Sequence, residues 1–194
     1  NCVAPGEGIN PQMTQGHDMI CGTLNETSTG VMLSKLPTVS GETLLAIDAT
    51  SGAGQVPCDL SKVDLFFFSP QKVFASEGGL FIAIMSPKAR ARALKMAEDK
   101  SRYVPDIMNW AQAIDNSDKN QTYNTPALAT LFFLREQVAR MNQIGRKAVE
   151  ADGNKKAELI YKWAEERPYL NPYVKEAQYR SNVVATIDVD DKVD

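Results

Sequence analysis

Apolar residues fall in short continuous runs over the first half of this chain and at helical spacing over the second. Asp18 to Leu24 predicts a strand, closed by the polar turn Asn25-Glu26-Thr27-Ser28-Thr29-Gly30. Val31-Met32-Leu33 is a brief extended piece before Pro37. Thr43 to Ile47 is a continuous apolar run, the mark of a strand buried on both faces. It leads into Asp48-Ala49-Thr50-Ser51-Gly52-Ala53-Gly54, a loop of small residues that lets a ligand approach the backbone. Val63 to Phe68 predicts the next buried strand. Gly78-Gly79 makes a tight turn from which Leu80 to Met85 returns, and so short a connection implies antiparallel pairing.

Ser86-Pro87 then reads as a helix start, with Ser as N-cap and Pro in the first turn. Residues 103–123 are polar and rich in Asn and Asp, and read as a loop. The same capping logic opens a second helix at Thr125-Pro126, with Leu128, Leu131, Phe132, Leu134 and Val138 at helical spacing. Gly145 to Glu166 is helical but mostly polar, like a surface or interdomain helix, and Arg167-Pro168 stops it. Val183 to Ile187 reads as a strand that begins a new layer. Strands alternating with helices place the chain in the α/β class.

Composition narrows the function. The chain has 194 residues, 43% apolar and 23% charged, an ordinary globular balance. Twenty-one Lys and Arg against 24 Asp and Glu give a net charge of -3. No basic face for nucleic acid or for a membrane surface stands out. No apolar stretch approaches the ~20 residues of a spanning helix. Cys2, Cys21 and Cys58 have no metal-ligand spacing and read as small structural residues, so no metal is expected. A reducing, cytoplasmic location is the simplest expectation. The chain opens at Asn1 and stops just after a strand-like run, so a piece of a longer protein is expected.

Chemistry concentrates at strand ends. Leu44-Leu45-Ala46-Ile47 delivers the carboxylate of Asp48, and Phe66-Phe67-Phe68 delivers the amine of Lys72 to a polar turn. In open α/β sheets, ligands bind beyond the carboxyl ends of strands. An amine that bonds an aldehyde and an acid that keeps a pyridine nitrogen protonated are what pyridoxal-phosphate chemistry needs. Taken singly, Lys72 reads equally as a solvated lysine and Asp48 as a turn-capping aspartate. Thr125-Pro126, at a helix N-terminus, can accept a phosphate or be a plain cap.

Together the segments are specific. Ile47-Asp48-Ala49-Thr50-Ser51-Gly52, Ser69-Pro70-Gln71-Lys72, Gly78-Gly79-Leu80, Tyr123-Asn124-Thr125-Pro126 and Asn25-Glu26-Thr27 resemble the phosphoserine aminotransferase family, class V aminotransferases of the pyridoxal-phosphate fold type I. The resemblance runs from about Asp18 to Asp194. It implies a mostly parallel large-domain sheet flanked by helices over 1–142. An interdomain helix and the start of a smaller C-terminal α/β domain would follow over 143–194. It also implies the cofactor pyridoxal 5'-phosphate and amino transfer from glutamate to 3-phosphohydroxypyruvate, the step that makes phosphoserine for serine biosynthesis. Some members also serve pyridoxine synthesis.

By that resemblance Lys72 bonds the cofactor covalently and Asp48 pairs with its ring nitrogen. Thr27 meets its ring hydroxyl and Gln71 its phosphate. Asn124 and Thr125 reach the phosphate of a neighbouring subunit's cofactor, which implies a homodimer with shared sites. Family members are about twice this length. Their phosphate loop and ring-stacking aromatic find no match in Asn1 to Leu24, and the arginines that hold substrate lie outside this stretch. Arg102, Arg167 and Arg180 stay unassigned. Expressed alone, the 194 residues are expected to bind cofactor poorly and to be inactive. Two alternatives remain. One is another class V enzyme, such as a cysteine desulfurase or an alanine–glyoxylate aminotransferase; a desulfurase typically has His directly before the lysine, where this chain has Gln71. The other is a non-catalytic binding domain.

Overall fold

A computed structural model of the chain describes residues 3–9, 11 and 16–193. Asn1 and Cys2 therefore lie outside the described residues. The central sheet has four strands in the order β1 (Met19–Thr23), β4 (Leu44–Asp48), β5 (Leu65–Phe68), β6 (Ile82–Met85). β1 with β4 and β4 with β5 are parallel, and β5 with β6 is antiparallel. The mostly parallel sheet and its antiparallel return are as the sequence implies. β4 is the middle of the core. Its first four residues, Leu44 to Ile47, are all buried, which explains why it shows no apolar–polar alternation. Leu24, Leu45, Ile47, Val63, Phe66 and Phe68 pack into one cluster around it. Full burial of each such side chain is worth about 1.5–3 kcal/mol.

The turn after β1 is shorter than its polar sequence suggests. Asn25–Glu26 (β2) pairs antiparallel with Val31–Met32 (β3). The Ser28 hydroxyl and backbone N–H both donate to Glu26, which holds that carboxylate below its usual range and closes the hairpin.

Helix α1 (Pro87–Glu98) starts as expected, with the Ala89 N–H donating to Ser86 Oγ at 3.1 Å. Residues 103–123 are not simply a loop. They contain α2 (Trp110–Asp118), capped by Asn109, whose Oδ1 accepts from the Ala111 N–H. The Asn- and Asp-rich composition that suggests a loop marks a helix cap here. α3 (Leu128–Ile144) begins two residues later than Thr125-Pro126 suggests, with Ala127 as its N-cap and no side-chain bond to that cap. α4 (Arg146–Glu165) follows with only Gly145 between them, at φ 89°. That left-handed conformation suits glycine and no branched residue.

After Arg167-Pro168 the chain forms a two-stranded piece, β7 (Leu170–Pro172) against β8 (Ile187–Val189). Val183 to Thr186 is not strand; only Ile187 of the expected run pairs. The run instead folds back on the N-terminal half. Val183 packs on the central cluster, the Ser181 N–H donates to Gly30 O at 2.9 Å, and Thr186 Oγ1 donates to Thr29 O at 2.7 Å. Its apolar residues are used for packing between segments rather than for pairing.

Candidate functional site

Three segments end at the carboxyl edge of the central sheet. β1 ends at Thr23, whose register partner is Asp48, the last residue of β4. Asp48 in turn lies opposite Phe67 of β5, and Lys72 follows five residues later. The parallel register that the hydrophobic runs impose thus brings the carboxylate and the amine to the same edge.

Asp48 is half-buried. Its Oδ1 accepts from the Thr50 N–H at 2.9 Å, and Oδ2 has no partner among the described residues. The carboxylate is fixed by its own turn and keeps one oxygen open. It forms one end of a cleft of about 890 Å³ that runs along β1, near Thr23, Glu26 and Ser28. Thr27, in the β2–β3 turn, shares a hydrogen bond with Ser51 Oγ, in the turn after Asp48. The structure therefore brings the Thr27 and Asp48 segments together. Asn25, two residues before Thr27, is 2% exposed, and neither its Nδ2 nor its Oδ1 has a partner among the described residues.

Lys72 is not a wall of that cleft. It stands exposed on the turn after β5 and forms no ion pair among the described residues. Its turn is nonetheless held firmly. Phe74 stacks on Phe68 with ring centroids 5.0 Å apart. The Ser76 N–H donates to Pro70 O, and Ala75 sits at φ 48°. That left-handed backbone costs an alanine roughly 1–2 kcal/mol, so packing around it must hold it there. α3 supplies the clamp. Ser76 Oγ donates to Thr130 O at 2.7 Å, and Thr130 Oγ1, 2% exposed, donates to Gly78 O at 3.0 Å. Gln71 is exposed beside Lys72.

Asn124 and Thr125 lie on the exposed approach to α3, and neither side chain hydrogen-bonds within the described residues. They are not part of a helix N-terminus, because α3 starts at Leu128. The helix-dipole argument for a phosphate at Thr125 therefore fails.

The small residues after Asp48 serve packing more than ligand access. A Cβ at Gly54 would meet Phe74 Cζ at 3.0 Å and Met141 Cε at 3.1 Å, and one at Gly52 would meet Leu24 Cδ2 at 3.1 Å. The turn is small because the Lys72 turn and α3 press against it.

The three unassigned arginines are already engaged. Arg102 pairs with Asp99. Arg167 donates to Trp163 O and lies over that ring at 4.6 Å. Arg180 donates to Val174 O and Glu165 and lies over Tyr161. None is poised to receive a substrate anion.

Cys21 is exposed on the sheet edge, against the expectation of burial. Cys58 is half-buried, and burial pushes its thiol up, away from reactivity. Among the described residues no group of His, Cys, Asp and Glu could hold a metal, and no helix is long and apolar enough to cross a membrane.

The structure thus ties Thr27 to the Asp48 turn through Ser51 and leaves Lys72 on the same sheet edge, outside the cleft. Sequence reading missed Ser51 and Thr130, whose roles rest on contacts 24 and 54 residues away. Nothing in their local pattern signals them.

The chain matches the aminotransferase class-V family over residues 7–193. It is 48% identical over 191 residues to a phosphoserine aminotransferase of Corynebacterium glutamicum, covering 97% of this chain and 50% of that protein. The chain thus spans about half the length of the curated relatives it matches. A phosphoserine aminotransferase structure from Cytophaga hutchinsonii superposes with a TM-score of 0.77 at 26% identity, over 93% of this chain and 52% of that one. An alanine–glyoxylate aminotransferase from Nostoc sp. superposes almost as well, at 0.75 and 24% identity, over 91% of this chain and 48% of that one. The fold is common to more than one amino-transfer activity, so it does not choose the substrate.

Proposed function

The chain belongs to the class-V aminotransferase family, and on that premise we propose that it forms part of a phosphoserine aminotransferase. The enzyme moves the amino group of glutamate to 3-phosphohydroxypyruvate, with pyridoxal 5'-phosphate as cofactor. One observation carries this reading. Asp48 is locked by Thr50 with one carboxylate oxygen open, on the sheet edge that carries Lys72, and its turn is tied through Ser51 to Thr27. The 48% identity to a phosphoserine aminotransferase supports that substrate over those of other class-V enzymes.

Each residue has a task set by its position. When bound, pyridoxal 5'-phosphate would supply an aldehyde for amines and a protonated ring that delocalises the electron pair left on the α-carbon once its proton is removed. The open oxygen of Asp48 holds the ring nitrogen protonated, as an opposite charge favours the cationic form. Thr27 Oγ1 donates to the ring hydroxyl oxygen. With the cofactor bound at this edge, Lys72 Nζ would be the amine available to its aldehyde and the base placed to take and return a proton. Gln71 contacts the phosphate. Asn124 and Thr125, exposed and unpaired among the described residues, reach the phosphate bound to a second copy in a homodimer.

Residues 1–142 belong to the large domain, and α4 leads into a small domain whose first pieces are β7 and β8. The 194 residues alone should bind cofactor weakly, because Lys72 is exposed here, and should be inactive, because Arg102, Arg167 and Arg180 are engaged within the chain. The test is turnover. The full-length protein containing this chain should convert glutamate and 3-phosphohydroxypyruvate to phosphoserine and 2-oxoglutarate, and Lys72→Ala should abolish it. Preferred turnover of alanine with glyoxylate would overturn the substrate assignment.

A further inference from the structure

We infer that Ser51 is a positioning residue for the cofactor, acting through Thr27; the inference rests on the functional reading above. Ser51 lies in the turn that follows Asp48, and its hydroxyl shares a hydrogen bond with Thr27 Oγ1. Each hydroxyl carries a single proton and can accept as well as donate. For Thr27 to donate to an oxygen in the site, the shared bond must run from Ser51 to Thr27. Ser51 then occupies a lone pair of Thr27 and leaves its proton free for the site. Without Ser51 the Thr27 hydroxyl rotates and competes for water.

The same turn fixes Asp48. The Thr50 N–H holds Asp48 Oδ1, and the Gly52 and Ala53 N–H groups donate to Ala49 O at 2.9 and 2.7 Å. One short turn therefore sets the carboxylate for the ring nitrogen and, through Ser51, the hydroxyl for the ring oxygen. The spacing between those two contacts is built by the Ser51–Thr27 bond, which ties the β4 turn to the β2–β3 hairpin. An alanine at 51 would keep the turn and release the hairpin's hydroxyl.

The experiment uses the full-length protein with Ser51→Ala, Ser51→Cys, Thr27→Val and the double substitution Ser51→Ala with Thr27→Val. Two quantities are read: the dissociation constant for pyridoxal 5'-phosphate, and the pH midpoint of the bound cofactor's visible absorbance. A hydrogen bond donated to the ring oxygen favours the more negative form, so weakening it moves the midpoint upward. Ser51→Ala should weaken binding about 3- to 10-fold, as expected for one neutral hydrogen bond. It should raise the midpoint by about half a unit. Ser51→Cys, a weak donor of similar shape, should fall between. The double substitution should match Thr27→Val alone, since Ser51 has nothing to orient once the hydroxyl is gone.

An unmoved midpoint in Ser51→Ala, or additive effects in the double, would overturn the inference while leaving the site reading intact. If Thr27→Val and Lys72→Ala also leave the spectrum and the affinity unchanged, the site reading falls and this inference with it.

Discussion

Asp64 is the residue through which the sheet, β5 and α1 are tied at the edge opposite Asp48. It is 8% exposed. Its carboxylate accepts from the Leu45 N–H at 3.0 Å, from Ser86 Oγ at 2.7 Å and from Lys88 Nζ at 3.0 Å. Leu45 is fully buried, so Asp64→Ala leaves its N–H with no water to turn to. An orphaned buried donor costs about 1–3 kcal/mol, and the charged contacts to Ser86 and Lys88 add to that. The expected loss is about 3 kcal/mol. Asp64→Asn keeps one oxygen for Leu45 and Lys88 but loses the charge, and should cost about half as much.

The pH dependence has a definite sign. Burial alone would raise the Asp64 pKa, but the Leu45 N–H, the Ser86 hydroxyl and Lys88 outweigh it and hold it below the ordinary value. Its stabilisation is therefore fully present above the unfolded-state pKa of about 3.9 and is lost as pH falls through the lower folded value. Urea unfolding of the full-length protein, followed by circular dichroism, should show a constant gap between parent and Asp64→Ala from about pH 5 to 8 that narrows to about half below about pH 4, where neutral Asp64 still accepts from Leu45. Because Asp64 lies at the far end of the strands, the cofactor's pH midpoint should not move. A loss under about 0.5 kcal/mol at pH 7, or a gap that widens in acid, would show that Asp64 does not tie these elements together.

Other outcomes follow from the same contacts. Asp48→Asn should lower kcat at least about 100-fold, as removal of one electrostatic partner of a reacting group does, measured by phosphoserine formation. Tyr161→Phe should cost about 1 kcal/mol in urea unfolding, because its buried hydroxyl donates to Ser181 O and Val184 O where the C-terminal segment folds back. Thr130→Val should loosen the Lys72 turn, read as faster hydrogen exchange at Ser76 to Gly79 with other exchange unchanged. Mixing inactive Lys72→Ala subunits with weakened Asn124→Ala, Thr125→Val subunits should recover activity, since one mixed site is intact; no recovery would exclude sites shared between subunits.

The central sheet was legible because buried parallel strands are uniformly apolar, as in Leu44 to Ile47. The cap of α1 was legible because Ser86-Pro87 acts locally. α2 was missed because Asn109 caps a helix whose own residues are largely polar. The start of α3 was misplaced because Thr125-Pro126 looks like a cap and is not used as one. The segment Val183 to Thr186 is as apolar as a strand, yet it is recruited for contacts with Gly30 and Thr29 from the other half of the chain. Short motifs pointed to Asp48, Thr27 and Lys72, and the structure places the first two on segments joined through Ser51 and the third on the same sheet edge. Ser51 lies within such a motif, but its contact with Thr27 depends on the hairpin and the β4 turn meeting in space.

The most direct test is chemical. The full-length protein, loaded with pyridoxal 5'-phosphate, is reduced with borohydride, digested and mapped by mass spectrometry. The reduced cofactor should sit on the peptide carrying Lys72 and disappear in Lys72→Ala. A label on another lysine, or persistent labelling and turnover in Lys72→Ala, would contradict the account.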